Sequence, residues 1–99
     1  MSEPLTEEQI KAALDELPGW RYEDDHLKRS FQFGSFKEAL SFIVRLGLHA
    51  EQQNHHPEMF NVYNTVDLAL STHDAGGKVT EKDVNLARAI NDFDWSAPL

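Results

Sequence analysis

The sequence predicts an α+β fold: α-β-β-α-β-β-α, with a four-stranded antiparallel sheet and helices packed on one face. Three segments open on a capping residue and continue with apolar residues at helical spacing. Two further regions each hold a pair of short segments around a polar turn, which reads as a hairpin. A chain of 99 residues is expected to form a single domain spanning residues 1–99.

The elements follow in order. Thr6 with Gln9 forms a capping-box pattern, and Ile10, Ala13, Leu14 and Leu17 recur on one helical face until Pro18-Gly19 ends it. Trp20-Arg21-Tyr22, an Asp24-Asp25 turn and Leu27 to Phe33 make the first hairpin. Leu27, Arg29, Phe31 and Phe33 share one side of it, and Lys28, Ser30 and Gln32 the other. Ser35 with Glu38 opens a second helix, whose expected inward stripe is Phe36, Ala39, Leu40, Ile43, Val44, Gly47 and Ala50. Pro57 disfavours a helical His56, so this helix is expected to run from about Phe36 to His55. A second hairpin comprises Met59–Tyr63, a turn near Asn64, and Val66–Thr72. Ala75-Gly76-Gly77 is a loop, and Thr80 with Asp83 caps a last helix bearing Val84, Ala87, Ile90 and Phe93.

Composition narrows the function. Seventeen acidic residues against nine basic give a net charge of −8, which repels phosphate backbones and argues against direct nucleic-acid binding. The absence of cysteine excludes disulfides, thiolate nucleophiles and Cys-ligated metal sites. The acidic N-terminus has no apolar h-region, and the longest apolar stretch, Phe42 to Leu48, is interrupted by Arg45. No membrane association is expected, and a cytoplasmic location fits. A core this small favours self-association.

The polar residues with chemical potential cluster around Pro57: Glu51, Asn54, His55 and His56. Glu51 and His55, four apart, are expected to hydrogen-bond along the helix, fixing the imidazole tautomer near the negative end of the helix dipole. The bend at Pro57 then aims two adjacent imidazoles at one cavity. His73 follows Ser71-Thr72 at the end of the last strand, where functional groups commonly project. His26 and His49 read as surface positions, and the acidic run Glu23-Asp24-Asp25 as a solvated turn. Trp20, Phe31, Phe33, Phe36, Phe42 and Phe93 read as core or interface, and Trp95 as interface. From these residues alone, an acid–base site and a three-histidine metal site both stay open.

The stretch from Glu51 to Asp83 closely resembles the pterin-4a-carbinolamine dehydratase family, whose animal members double as the dimerisation cofactor of a hepatocyte nuclear factor. The resemblance is carried by Glu51, His55-His56-Pro57, Phe60 and Tyr63 in the segment FNVYN, Ser71-Thr72-His73, and Asp83. Met59 stands where family members often carry Trp. The resemblance implies dehydration of 4a-hydroxytetrahydropterin to quinonoid dihydropterin, in the recycling of tetrahydrobiopterin, with no metal or organic cofactor. It implies His55, His56 and His73 as catalytic residues, and Glu51, Pro57 and Asp83 as orienting or shaping groups. Phe60, Ser71 and Thr72 would border the pterin. It further implies a homodimer or homotetramer and a functional link to phenylalanine hydroxylase. A non-catalytic interaction or transcriptional coactivator module on the same scaffold is the alternative.

Overall fold

Each of the three long helices begins at a hydroxyl side chain that accepts a backbone N–H the helix itself cannot satisfy. In the computed structural model, which describes residues 3–93, α1 spans Glu7–Leu14. The Thr6 hydroxyl accepts from the Gln9 backbone at 3.1 Å and the Gln9 side chain accepts from the Thr6 N–H at 2.9 Å. The helix stops three residues short of Leu17, yet a further turn, with Leu17 N–H donating to the Leu14 carbonyl, carries Leu17 into the core.

The first hairpin joins β1 (Arg21–Glu23) to β2 (His26–Gln32). α2 covers Phe36–Gln53, and the second hairpin joins β3 (Glu58–Val62) to β4 (Thr65–Leu70). A single 3-10 turn at His73–Ala75 occupies part of the expected loop, and α3 spans Glu81–Asp92. The sheet is antiparallel with strand order β1-β2-β4-β3, so the two hairpins meet through β2 and β4. Thus the predicted α+β fold, in the predicted order, is the one observed.

Register explains the core. Leu27 faces Leu70, Arg29 faces Leu68, and Phe31 faces Val66 across the central pair. The leucines and valine of that face are at most 2% exposed. They pack under Phe42 and Leu46 of α2 and Val84, Ala87 and Ile90 of α3. The rings of Phe31 and Phe33 lie 4.7 and 5.0 Å from that of Phe42, in tilted contact. A polar seam closes α3 on the first hairpin. Asn91 accepts from both the Trp20 indole and the Arg29 guanidinium and donates to the Pro18 carbonyl.

Two expectations for α2 change. The buried face is Ala39, Phe42, Leu46 and Ala50. Phe36, Leu40, Val44 and Leu48, the first three of them expected inside, are 47%, 46%, 40% and 63% exposed. The helix is apolar on two faces, and the sheet takes the one that carries Phe42. It also ends at Gln53 rather than His55, because Asn54 turns left-handed at φ 51°, ψ 41° and its N–H still reaches the Ala50 and Glu51 carbonyls. Asparagine tolerates that conformation, so the helix ends before the restriction from Pro57 is reached. Trp95 lies outside the described residues.

Phe42 is 1% exposed and contacts two other rings. Phe42→Ala is expected to destabilise the fold by about 3–5 kcal/mol, read from urea or guanidinium unfolding. A loss below about 1 kcal/mol would contradict its central place in the core.

Candidate active site

The site forms where the second hairpin leaves the sheet. Glu58, the first residue of β3, is the register partner of Ala69 near the end of β4. The segment entering β3 through His55, His56 and Pro57 and the segment leaving β4 through Ser71, Thr72 and His73 therefore lie at one end of the sheet. The start of α3 joins them through Asp83.

Asp83 is fully buried. Its Oδ2 accepts the Thr80 backbone N–H at 2.9 Å, completing the cap of α3, and the Thr72 hydroxyl at 2.8 Å. Thr72 has one proton and gives it to Asp83, so the 2.6 Å contact between the Thr72 and Thr80 hydroxyls must be donated by Thr80. The other oxygen, Oδ1, lies 2.6 Å from Nε2 of His55, whose side chain is 11% exposed. An ionised carboxylate only accepts, so Nε2 carries a hydrogen. In the neutral ring this leaves the Nδ1 lone pair as a base; in the charged ring Nδ1–H is an acid. A buried carboxylate that fixes one imidazole nitrogen in this way orients the ring for proton transfer at the other.

The expected Glu51–His55 pair along the helix is not formed. Because Asn54 breaks the helical path, the residue that returns to Glu51 is His56, with Nε2 2.7 Å from Oε1. His55 is turned instead toward α3. The two imidazoles thus have separate carboxylates in contrasting settings. His55 and Asp83 are enclosed, whereas His56 and Glu51 are 58% and 78% exposed.

His73 is exposed at the start of the 3-10 turn. Its loop is closed by Thr72 and Lys78, whose backbones bridge with a Thr72 N–H to Lys78 carbonyl bond of 2.8 Å. Ser71 and Pro57 are half-buried beside these segments. Thr72 is buried, its hydroxyl engaged by Asp83 and Thr80. Phe60 is the register partner of Asp67 on the wet face of the sheet and is 64% exposed. It borders a shallow cleft of about 430 Å³ together with Met59, Lys28 and Ser30.

His55 lines a different cleft of about 420 Å³ between α2 and α3, with His49, Gln53, Lys82, Asn85, Leu86 and Ala89. Its volume is in the range that holds small organic ligands. His49, assigned to the surface from sequence, is one wall of it and meets the edge of Phe93 at 5.1 Å between centroids. Lys82 and Asn85 drew no attention in the sequence, although their i, i+3 spacing one turn into a capped helix puts them on one face. Among the described residues, no group of three or more His, Cys, Asp or Glu is arranged to hold a metal ion, and no helix is long and apolar enough to cross a membrane.

Comparison with known proteins identifies the family of the chain. The family model described as pterin 4 alpha carbinolamine dehydratase matches residues 3–93. A protein of Opitutus terrae named as a pterin-4-alpha-carbinolamine dehydratase is 54% identical over 91 residues, 92% of this chain and 94% of that one. One of the same name from Christiangramia forsetii is 49% identical over 93 residues, covering 94% and 95%. The crystal structure of a transcriptional coactivator/pterin dehydratase from Brucella melitensis superposes with a TM-score of 0.84 at 43% identity, covering 89% of this chain and 95% of that one. With the match spanning every described element, the chain belongs to the pterin 4 alpha carbinolamine dehydratase family, a family of hydro-lyases.

Proposed function

We propose that the protein dehydrates 4a-hydroxytetrahydropterin to quinonoid dihydropterin and water, using histidine side chains as acid and base. The observation that carries this reading is the enclosed Asp83–His55 pair, which presents one free ring nitrogen at the edge of a cleft. In the reaction the C4a–O bond breaks while an acid protonates the departing oxygen, forming water. A base takes the proton from the adjacent ring nitrogen, and a C=N bond forms. Both steps are proton transfers, for which imidazoles suffice without a metal or organic cofactor.

His55 and His73 are assigned the proton transfers, and His56 binds and polarises the pterin. Asp83 and Glu51 orient His55 and His56 respectively, and Pro57 shapes the turn between them. Thr72 serves through Asp83, and Ser71 is assigned to the pterin border; Phe60, which the family resemblance puts at that border, lines a cleft separate from that of His55. The physiological role in this reading is recycling of tetrahydrobiopterin for aromatic amino acid hydroxylation, which links the protein functionally to phenylalanine hydroxylase. The substrate is a small molecule, and the net charge of −8 disfavours direct contact with nucleic acid.

A second role is favoured by the outer face of α2. Phe36, Leu40, Val44 and Leu48, one turn apart, form an exposed apolar ladder on that helix. Such a ladder fits self-association into a homodimer or homotetramer. The Brucella melitensis relative is named as a coactivator as well as a dehydratase, in keeping with protein contacts made by this scaffold.

Four outcomes test these assignments. His73→Ala is expected to lower kcat by about 10²–10⁴-fold in a stopped-flow assay on freshly generated 4a-hydroxytetrahydropterin. Its thermal midpoint should hardly move, because the side chain is exposed. His55→Gln, which keeps a donor available to Asp83, should lose turnover comparably; near wild-type rates in both variants would refute the roles. Asp83→Asn turns a donor toward a site that needs only acceptors. It should cost about 1–3 kcal/mol in urea unfolding and reduce kcat at the same time. Leu40→Glu combined with Leu48→Glu should shift the light-scattering mass to that of a monomer, and an unchanged assembly would reject this face as the contact.

A further inference from the structure

The turn between β1 and β2 is built against its residues' preferences. Asp24 and Asp25 both adopt left-handed conformations, at φ 53° and 62°, in the two-residue loop closed by the Glu23–His26 pair. Hairpins of this kind usually place Asn-Gly there, since a side chain makes that backbone costly. Here the two residues on the far side of the turn each reach another part of the chain. The Asp25 carboxylate accepts from Lys78 Nζ at 2.9 Å and from the Tyr22 hydroxyl at 3.1 Å. Those two hydrogen bonds hold its carboxyl below the usual carboxylate range, the Lys78 bond contributing most. His26 Nδ1 lies 2.5 Å from the Asp24 carbonyl, and its Nε2 lies 2.9 Å from Glu58 Oε2. The remaining turn carboxylates, Glu23 and Asp24, are occupied by Lys28 at 3.3 and 3.4 Å.

The destinations are the informative part. Lys78 closes the loop that carries His73, through its backbone bridge to Thr72. Glu58 is the first residue of β3, directly after His55-His56-Pro57. One turn therefore grips both histidine-bearing segments, one through Asp25 and the other through His26. We propose that Asp25 and His26 are positioning residues for the acid–base site, bracing the His73 loop and the His56-Pro57 turn against each other. This rests on the assignment of proton transfer to those histidines.

The physical case turns on what these contacts can and cannot do. Both ion pairs are partly exposed, with side-chain exposures of 50% and 46% for Lys78–Asp25 and 24% and 72% for His26–Glu58. Pairs of this kind add little to global stability, and β2 and β3, which His26–Glu58 joins, are already held through β4. The loop from His73 to Lys78 is different. It contains Gly76 and Gly77 at φ 74° and 77°, and a side chain at either would meet nothing within 4 Å. Among the described residues the two glycines leave open space beside the loop, so a tether at Lys78 helps set where His73 can stand. Misplacing a reacting group by about 1 Å can cost about 10²-fold in rate, so even a weak tether is visible in turnover.

The test uses the full chain and the stopped-flow dehydratase assay, with kcat, KM and thermal midpoint read for each variant. Lys78→Met removes the partner of Asp25 without disturbing the left-handed turn, Lys78→Arg restores a cation, and His26→Ala releases Glu58. Lys78→Met and His26→Ala should each lower kcat about threefold to tenfold, with KM and midpoint nearly constant. Lys78→Arg should recover most of the loss, and the double variant should lose more than either single one. Glu23→Gln weakens other exposed pairs on the same hairpin, with Arg21 at 3.7 Å and Lys28 at 3.3 Å, and should keep wild-type kcat. Wild-type kcat in the double variant while His73→Ala is inactive would overturn the bracket alone. A kcat loss that Glu23→Gln reproduces, or that tracks a falling midpoint, would also overturn it. Wild-type turnover in His73→Ala would overturn the underlying assignment and the bracket with it.

Discussion

The buried carboxylate of Asp83 is the constraint on which the rest of the site depends. An uncompensated charge at 0% exposure would cost several kcal/mol, so its surroundings must supply donors. Three converge on it: a backbone N–H from Thr80 at the N-cap of α3, a hydroxyl from the residue after Ser71, and an imidazole from the residue after Asn54. Each donor belongs to a different element. Satisfying one carboxylate therefore fixes the start of α3, the end of the second hairpin and the exit from α2 relative to one another. The same bonds that make the burial tolerable also set the orientation of His55.

This dual use explains why the chain leaves α2 as it does. A helix continued to His55 would have kept that ring on the same face as Glu51, beside the solvent. The left-handed residue at Asn54 ends the helix one turn after Ala50 while still capping its carbonyls. His55 is then free to swing toward α3, and His56 inherits Glu51. Pro57, which cannot join a helix in this position, launches β3 directly afterward. Within four residues the backbone passes from helix to strand, and successive imidazoles are handed to opposite partners.

The elements were legible because their signals are local. Thr6 with Gln9, Ser35 with Glu38 and Thr80 with Asp83 mark helix starts through bonds that span three residues, and alternation along Val66, Leu68 and Leu70 marks a buried strand face. The residues around the second hairpin that carry the site could also be read, because proline and paired histidines stand out in any sequence. What could not be read depends on contacts distant in sequence. Asp83 looked like a cap, and it is one; that its other oxygen holds His55, 28 positions earlier, follows only from the fold. The two apolar faces of α2 are equivalent in a helical projection until the sheet selects one. His26 and Asp25 looked like solvent-facing residues because their partners, Glu58 and Lys78, lie on another strand and another loop.

The three histidines differ in support, and the difference bears on how proton transfer would be divided. His55 is enclosed, its ring fixed by a carboxylate that is itself immobilised by two further donors. It can present its remaining nitrogen in one direction only, which suits a step requiring a set geometry. His73 stands in solvent on a short turn, where its proton exchanges with water freely. Any cycle that both donates and removes a proton must return each group to its starting state between turnovers. In the proposed reaction, a rigid histidine and a solvent-facing one at the same end of the sheet would share the two transfers. On this scaffold one imidazole is locked from within the core, and the other follows buried Thr72 on a loop closed by Lys78.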